Sequence, residues 1–169
     1  SLATVTAFSL SIWVIKDTFD GVYRDMFWLG GEYNTNHNFI FQHDQSNTME
    51  LDVMWSGTNG RWYIAVPDTA WHNYVITYAS VDDTTDPIFY KDSVSQSVTE
   101  RQAPTGSRQT STRNEIAVGS ASAFYNPFLE LWDGKIAEVA LWNRVLTSSE
   151  ASLLGSGVSA AAIPDGLLF

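Results

Sequence analysis

A chain of 169 residues with 44% hydrophobic content has enough apolar material for one continuous core, and its 19 acidic against 9 basic residues, a net charge of -10, argue against phosphate-backbone partners. The absence of cysteine excludes disulfides and thiolate metal sites, and no apolar run reaches the roughly 18 residues that a membrane-spanning helix needs. The expectation is one domain over 1–169, with no nucleic acid and no membrane insertion.

Residues 8–15, FSLSIWVI, alternate: Phe8, Leu10, Ile12 and Val14 share one face, and Ser9, Ser11 and Trp13 the other, which is the period of a strand. Comparable runs follow at 26–29, 38–42, 49–55, 61–66, 74–79, 88–90, 116–118 and 136–142. Turn signals separate them, among them Gly30-Gly31, Ser56-Gly57, Asn59-Gly60, Asp82-Asp83 and Asp133-Gly134. Many short strands with almost no helical periodicity predict an all-β sandwich or barrel and exclude parallel α/β architecture. The polar stretch 93–113, with Pro104 and Gly106, reads as a weak hairpin with a long exposed loop. A single helix is signalled: Thr147-Ser148-Ser149-Glu150 fits a capping box, 151–154 completes about two turns, and Gly155 or Gly157 supplies the left-handed stop. The opening Ser1 and the apolar close at 166–169 suggest a piece of a longer chain.

The segment DGKIAEVALWNRVLTSSEASLLGSG at 133–157 resembles the closing signature of laminin-G-like jelly-roll domains in the concanavalin-A-like lectin/glucanase superfamily, written G-x-I-x-E-V-x-x-W-N-R-x-L. Gly134, Ile136, Glu138, Val139, Trp142, Asn143, Arg144 and Leu146 stand at the matching positions. FSLSIWV at 8–14 is similar to the family's first core strand, WHNYVITY at 71–78 to its central W-H strand, and IFYKDS at 88–93 to a hairpin in which Ser93 replaces the usual glycine. The resemblance implies two stacked antiparallel sheets in a jelly-roll sandwich, one short helix near the C-terminus, and a last strand beginning at 163–169.

That resemblance frames the candidate sites. Glycosidases on this fold carry E-x-D-x-E or E-x-D-x-x-E on one strand; here Glu50 and Asp52 are followed by Met54 and Trp55, so the second glutamate is missing. Both carboxylates are accordingly expected on the solvent face, opposite Leu51, Val53 and Trp55, and no catalytic residue is assigned. The family's rim calcium would draw on Asp82 and Asp83, beside Asp86, and on Asp133. A glycan would use exposed aromatics and an amide near turns: Trp55, Trp62, Tyr125, Asn126 and Trp132. His37, His43 and His72 lack metal-ligand spacing. The expected function is a non-catalytic surface or adhesion module, displayed extracellularly or as a bacteriophage capsid-decoration or tail component that associates with itself or a larger particle. The alternative is a carbohydrate-binding lectin-like module, with or without calcium, and a glycoside hydrolase ranks last.

Overall fold

The computed structural model describes residues 5–31, 37–65, 68–113, 115–121 and 130–169. Its strands in chain order are β1 (Ala7–Lys16), β2 (Arg24–Gly30), β3 (His37–His43), β4 (Thr48–Val53), β5 (Gly60–Ala65), β6 (His72–Ala79), β7 (Ile88–Lys91), β8 (Val94–Ser95), β9 (Thr99–Gln102), β10 (Ile116–Val118) and β11 (Gly134–Trp142). One sheet runs β11-β1-β6-β7-β8 and the other β10-β2-β3-β4-β5-β9, with every pairing antiparallel. This is the expected jelly-roll sandwich.

The alternation read from residues 8–15 sets the core. Phe8, Leu10, Ile12 and Val14 all face inward and are buried. Phe8 stacks on Phe39 of the opposite sheet with ring centroids 3.9 Å apart and meets Tyr78 edge-on. Trp62 packs on Tyr78 at 5.2 Å, and Phe41 lies against Tyr74 and Phe89. Such contacts between aromatic rings bind the two sheets across the interior.

The outer face of the five-stranded sheet is half covered by α1 (Ser148–Gly155), whose Ala151 and Leu154 pack with Val75, Ala140 and Trp142. The capping box is present: the Glu150 amide donates to Thr147 Oγ1 (3.2 Å), and the Thr147 amide donates to Glu150 Oε2 (2.8 Å). At the far end Gly157 takes φ +91°, and the amides of Gly157 and Val158 donate to the carbonyls of Leu154 and Leu153, a Schellman stop. Among the described residues no helix is long and apolar enough to cross a membrane.

Two expectations are corrected. The stretch 93–113 is not one hairpin but is shared by both sheets: β8 pairs with β7, and β9 crosses to pair with β5. The turn before β8 closes without glycine, because Asp92 and Ser93 both adopt positive φ (48° and 71°), the conformation of a two-residue hairpin turn. The segment 163–169 forms no extended strand. After a 3-10 turn at Ala160–Ala162 it meets β11 at the single bridge Trp142 to Leu167, with Phe169 stacked on Phe27.

Candidate functional site

The carboxylates of β4 keep their predicted face but not their predicted exposure. Glu50 and Asp52 point away from the core, opposite Leu51 and Val53, yet both are fully buried. Glu50 accepts from Gln42 Nε2 (3.0 Å) and Arg101 Nη1 (2.5 Å), and Arg101 also pairs with Asp44 while its guanidinium covers the Tyr63 ring. Asp52 accepts from Asn59 Nδ2 (3.1 Å) and lies 2.9 Å from Arg61 Nε and 3.4 Å from His37 Nε2. The cause is the neighbouring strands: β5 and β9 lay arginine stems across the carboxylates, a placement visible only once register is known. Burial raises the Glu50 pKa against the pull of Arg101. With their oxygens held by these neighbours, neither acid is open to a glycosidic bond.

The candidate calcium ligands do not converge. Asp82 is spent within its own turn, accepting from the Thr84 amide and from the hydroxyls of Thr84 and Thr85 at 2.8–3.0 Å, and Asp83 is exposed beside it. Asp86 accepts from Trp62 Nε1 (2.7 Å). Asp133 belongs to the other end of β1, where Lys16 pairs with Gly134, whereas Ala7 at the near end pairs with Ala79. The ten residues of β1 span about 30 Å. Among the described residues no three His, Cys, Asp or Glu side chains group to hold an ion.

The candidate aromatics are also corrected. Trp62 is fully buried, its ring beneath Gly60, because on β5 its side chain shares the inward face with Ile64, and Trp55 is 4% exposed because it continues the inward alternation of Leu51 and Val53. Trp132 is half-buried and occupied: its Nε1 donates to the Ile15 carbonyl (3.2 Å), and Lys16 Nζ sits 5.1 Å above its ring. Tyr125 and Asn126 lie outside the described residues.

The carboxyls of Asp25 and Glu130 form a further acidic pair, joined where the Asp25 amide donates to the Glu130 carbonyl (2.7 Å). Burial, reinforced by the Glu130 charge, pushes the Asp25 pKa well above the usual carboxylate range, and burial raises that of Glu130. The folded state therefore holds protons that the unfolded state releases near pH 3.8, so this pair's contribution to stability falls as pH rises from there through the folded pKa. Asp25→Asn keeps the shape and removes the buried titrating acid. We expect it to raise the melting temperature at pH 7 by roughly 2–4 °C for about 1 kcal/mol of relief, with little gain near pH 3, in paired thermal melts.

An open aromatic site lies elsewhere, on the half of the five-stranded sheet that α1 leaves uncovered. A groove of about 410 Å³ is lined by Ser11, Trp13, Trp71, Ala137 and Glu138 and walled by the residues that end α1. Trp13 pairs with Asn73, and Trp71 is two residues back along the same face, so the two indoles are diagonal neighbours with backbones about 7–8 Å apart. Trp71 is 42% exposed. On the opposite flank β11 bulges: Ser11 pairs with Ala140 but Trp13 with Ala137, and Glu138 in the extra position takes φ +49°. Beneath them Asn73 donates to Ser11 Oγ (3.2 Å) and fixes the hydroxyl. A second hollow, about 490 Å³, lies at the β4–β5 rim between Asn59, Arg61, Gln102 and Gln109, but its one indole is the buried Trp55. Alternation alone puts Trp13 on the outward face, whereas Trp71 and Glu138 come beside it only through the register of β6 and β11 on β1.

A profile of the laminin-G-like family, described as the concanavalin A-like lectin/glucanases superfamily, matches residues 1–152. No curated protein matches the chain in sequence. Among solved structures, a heptameric pentraxin from Limulus polyphemus is similar at 15% identity and TM-score 0.65, over 92% of this chain and 72% of that one. A carbohydrate-binding protein of Bacteroides ovatus, described as putative, has 16% identity and TM-score 0.64 over 96% and 44%. The CBM40 module of a Ruminococcus gnavus sialidase, bound to α2,3-sialyllactose, has 9% identity and TM-score 0.66 over 91% and 85%. These identities carry the fold alone. The match over 152 of 169 residues, on a sandwich of this topology, makes the chain a member of the laminin-G-like family in the concanavalin A-like lectin/glucanases superfamily.

Proposed function

We propose that the chain is a non-catalytic glycan-binding module that holds sugar on the Trp13–Trp71 groove. The observation that carries this reading is the open pair of indoles on one sheet face, with the Ser11 hydroxyl and the Glu138 carboxylate within the same hollow. Sugar rings present apolar C–H faces and a rim of hydroxyls, and a flat aromatic beside a few fixed polar groups answers both. The similarity in fold to a putative carbohydrate-binding protein and to a CBM40 module bound to α2,3-sialyllactose supports it. The non-catalytic part rests on Glu50 and Asp52, which are sealed beneath Arg101 and Arg61. A glycan binder acts where glycans are displayed, so we place it outside the cell; particle display has no structural observation in its favour and is not adopted.

The test is a glycan array followed by titration, with and without calcium. Trp71→Ala should weaken binding tenfold or more, since truncating an aromatic anchor removes upwards of about 1.4 kcal/mol. It should leave the melting temperature nearly unchanged, because Trp71 is exposed. Full affinity in Trp71→Ala, or silence of the array, would remove the groove from consideration. Strict dependence on calcium would move the site away from it, because among the described residues Glu138 is the one acidic side chain lining the groove.

A further inference from the structure

We infer that the groove selects sugars bearing a free amine, of the glucosamine type, over neutral and sialylated ones; this deepens the glycan-binding reading and rests on it. Among the described residues Glu138 is the only charged one lining the groove, and no lysine or arginine lines it. Lys135 stands two residues before Ala137 on β11, outside the lining. Glu138 is exposed, and its carboxylate has no hydrogen bond or ion pair to any described residue, so it faces solvent and whatever enters. An ammonium group laid here would meet a carboxylate on one flank and the two indoles on the other, and a carboxylate and an indole ring both attract a cation. A sialic acid brings a second carboxylate into a lining without a counter-charge, on a chain of net charge -10.

The backbone points the same way. A glutamate at φ +49° occupies a conformation that glycine or asparagine adopts with less strain. Held strain of this kind gathers where side-chain direction matters, and here the bulge turns Glu138 out beside Trp13.

Calorimetric titration at pH 6 with a fully deacetylated glucosamine tetramer, cellotetraose and 3′-sialyllactose tests the inference. We expect the amine tetramer to bind about tenfold more tightly than cellotetraose in low salt, the gap to narrow as salt rises, and sialyllactose to bind most weakly. Glu138→Gln should erase the difference between the two tetramers. Glu138→Gly, which relieves the backbone and so folds readily, should do the same. Trp71→Ala should weaken both tetramers together. Equal affinity for the two tetramers, a preference that survives both Glu138 variants, or tight sialyllactose binding overturns the amine selectivity and leaves glycan binding standing. If no sugar binds, or none senses Trp71→Ala, the glycan reading of the groove falls, and the selectivity falls with it.

Discussion

Arg108→Met should lower the melting temperature by roughly 6–12 °C, a loss of about 3 kcal/mol. Arg108 lies in the loop after β9, and its guanidinium donates five hydrogen bonds: Nε to Ser80 Oγ (3.2 Å), Nη1 to the carbonyls of Met54 (2.8 Å) and Gln109, and Nη2 to the Asn38 carbonyl (3.1 Å) and to Asn38 Oδ1. Those partners follow β6, follow β4 and sit in β3, so one side chain ties both sheets to the loop at the same edge. None of the five is a carboxylate. Burial without a counter-charge pulls the Arg108 pKa down to about 10, and the group remains a cation at neutral pH. Methionine matches the length of the stem but leaves Asn38, which is fully buried, without its donor. Arg108→Lys should recover only a minor part of the loss, because three donors on a flexible stem cannot reproduce the planar fork. A melt within 2 °C of the wild type would show that the loop is held by its backbone pairs instead, such as Gln109 N–H to the Met54 carbonyl.

How far the sequence reaches is clearest from particular residues. Alternation identified Phe8, Leu10, Ile12 and Val14 as core, and local chemistry identified the Thr147–Glu150 capping box and a glycine stop, because these depend only on neighbours along the chain. Trp62 was legible too: it shares its face with Ile64, and turn proximity was the weaker guide. Burial of Glu50 and Asp52 was not legible, since the roof of Arg61 and Arg101 arrives from strands 9 to 51 residues away. His37 shows a further limit. The β2–β3 register passes over Asn38, pairing Leu29 with Phe39 and Gly30 with His37, and the slip sends His37 towards Asp52 and Trp28 while Asn38 reaches the Val5 carbonyl. The groove depends on another such slip, at Glu138, and on the β6–β1–β11 pairing that sets Trp71, Trp13 and Glu138 in one row.

Gly134→Ala should cost about 3 kcal/mol, and it shows why a glycine begins β11. Gly134 takes φ +147° opposite Lys16, and a Cβ there would stand 2.0 Å from the Ile15 carbonyl oxygen and 3.0 Å from the Lys16 Cα. These are backbone atoms, so no side chain can swing aside; the start of β11 must move off β1. The same Ile15 carbonyl accepts the Trp132 indole N–H, and Asp133 accepts from the Asp17 amide and Thr18 Oγ1, the two residues that follow β1. Displacement would therefore loosen the cap that Trp132 places over Lys16 as well. Gly157→Ala supplies the control: φ is also positive there, at +91°, but nothing lies within 4 Å of the added Cβ, so only backbone strain of about 1 kcal/mol remains. Thermal melts should place Gly134→Ala roughly 6–12 °C below the wild type and Gly157→Ala about 2–4 °C below it. Hydrogen exchange at the Trp132 indole should quicken in the first variant alone. Equal melts for the two would mean that β11 approaches β1 less closely at Lys16 than the pairing requires, and that the strand is anchored instead by its buried half at Ala140, Leu141 and Trp142.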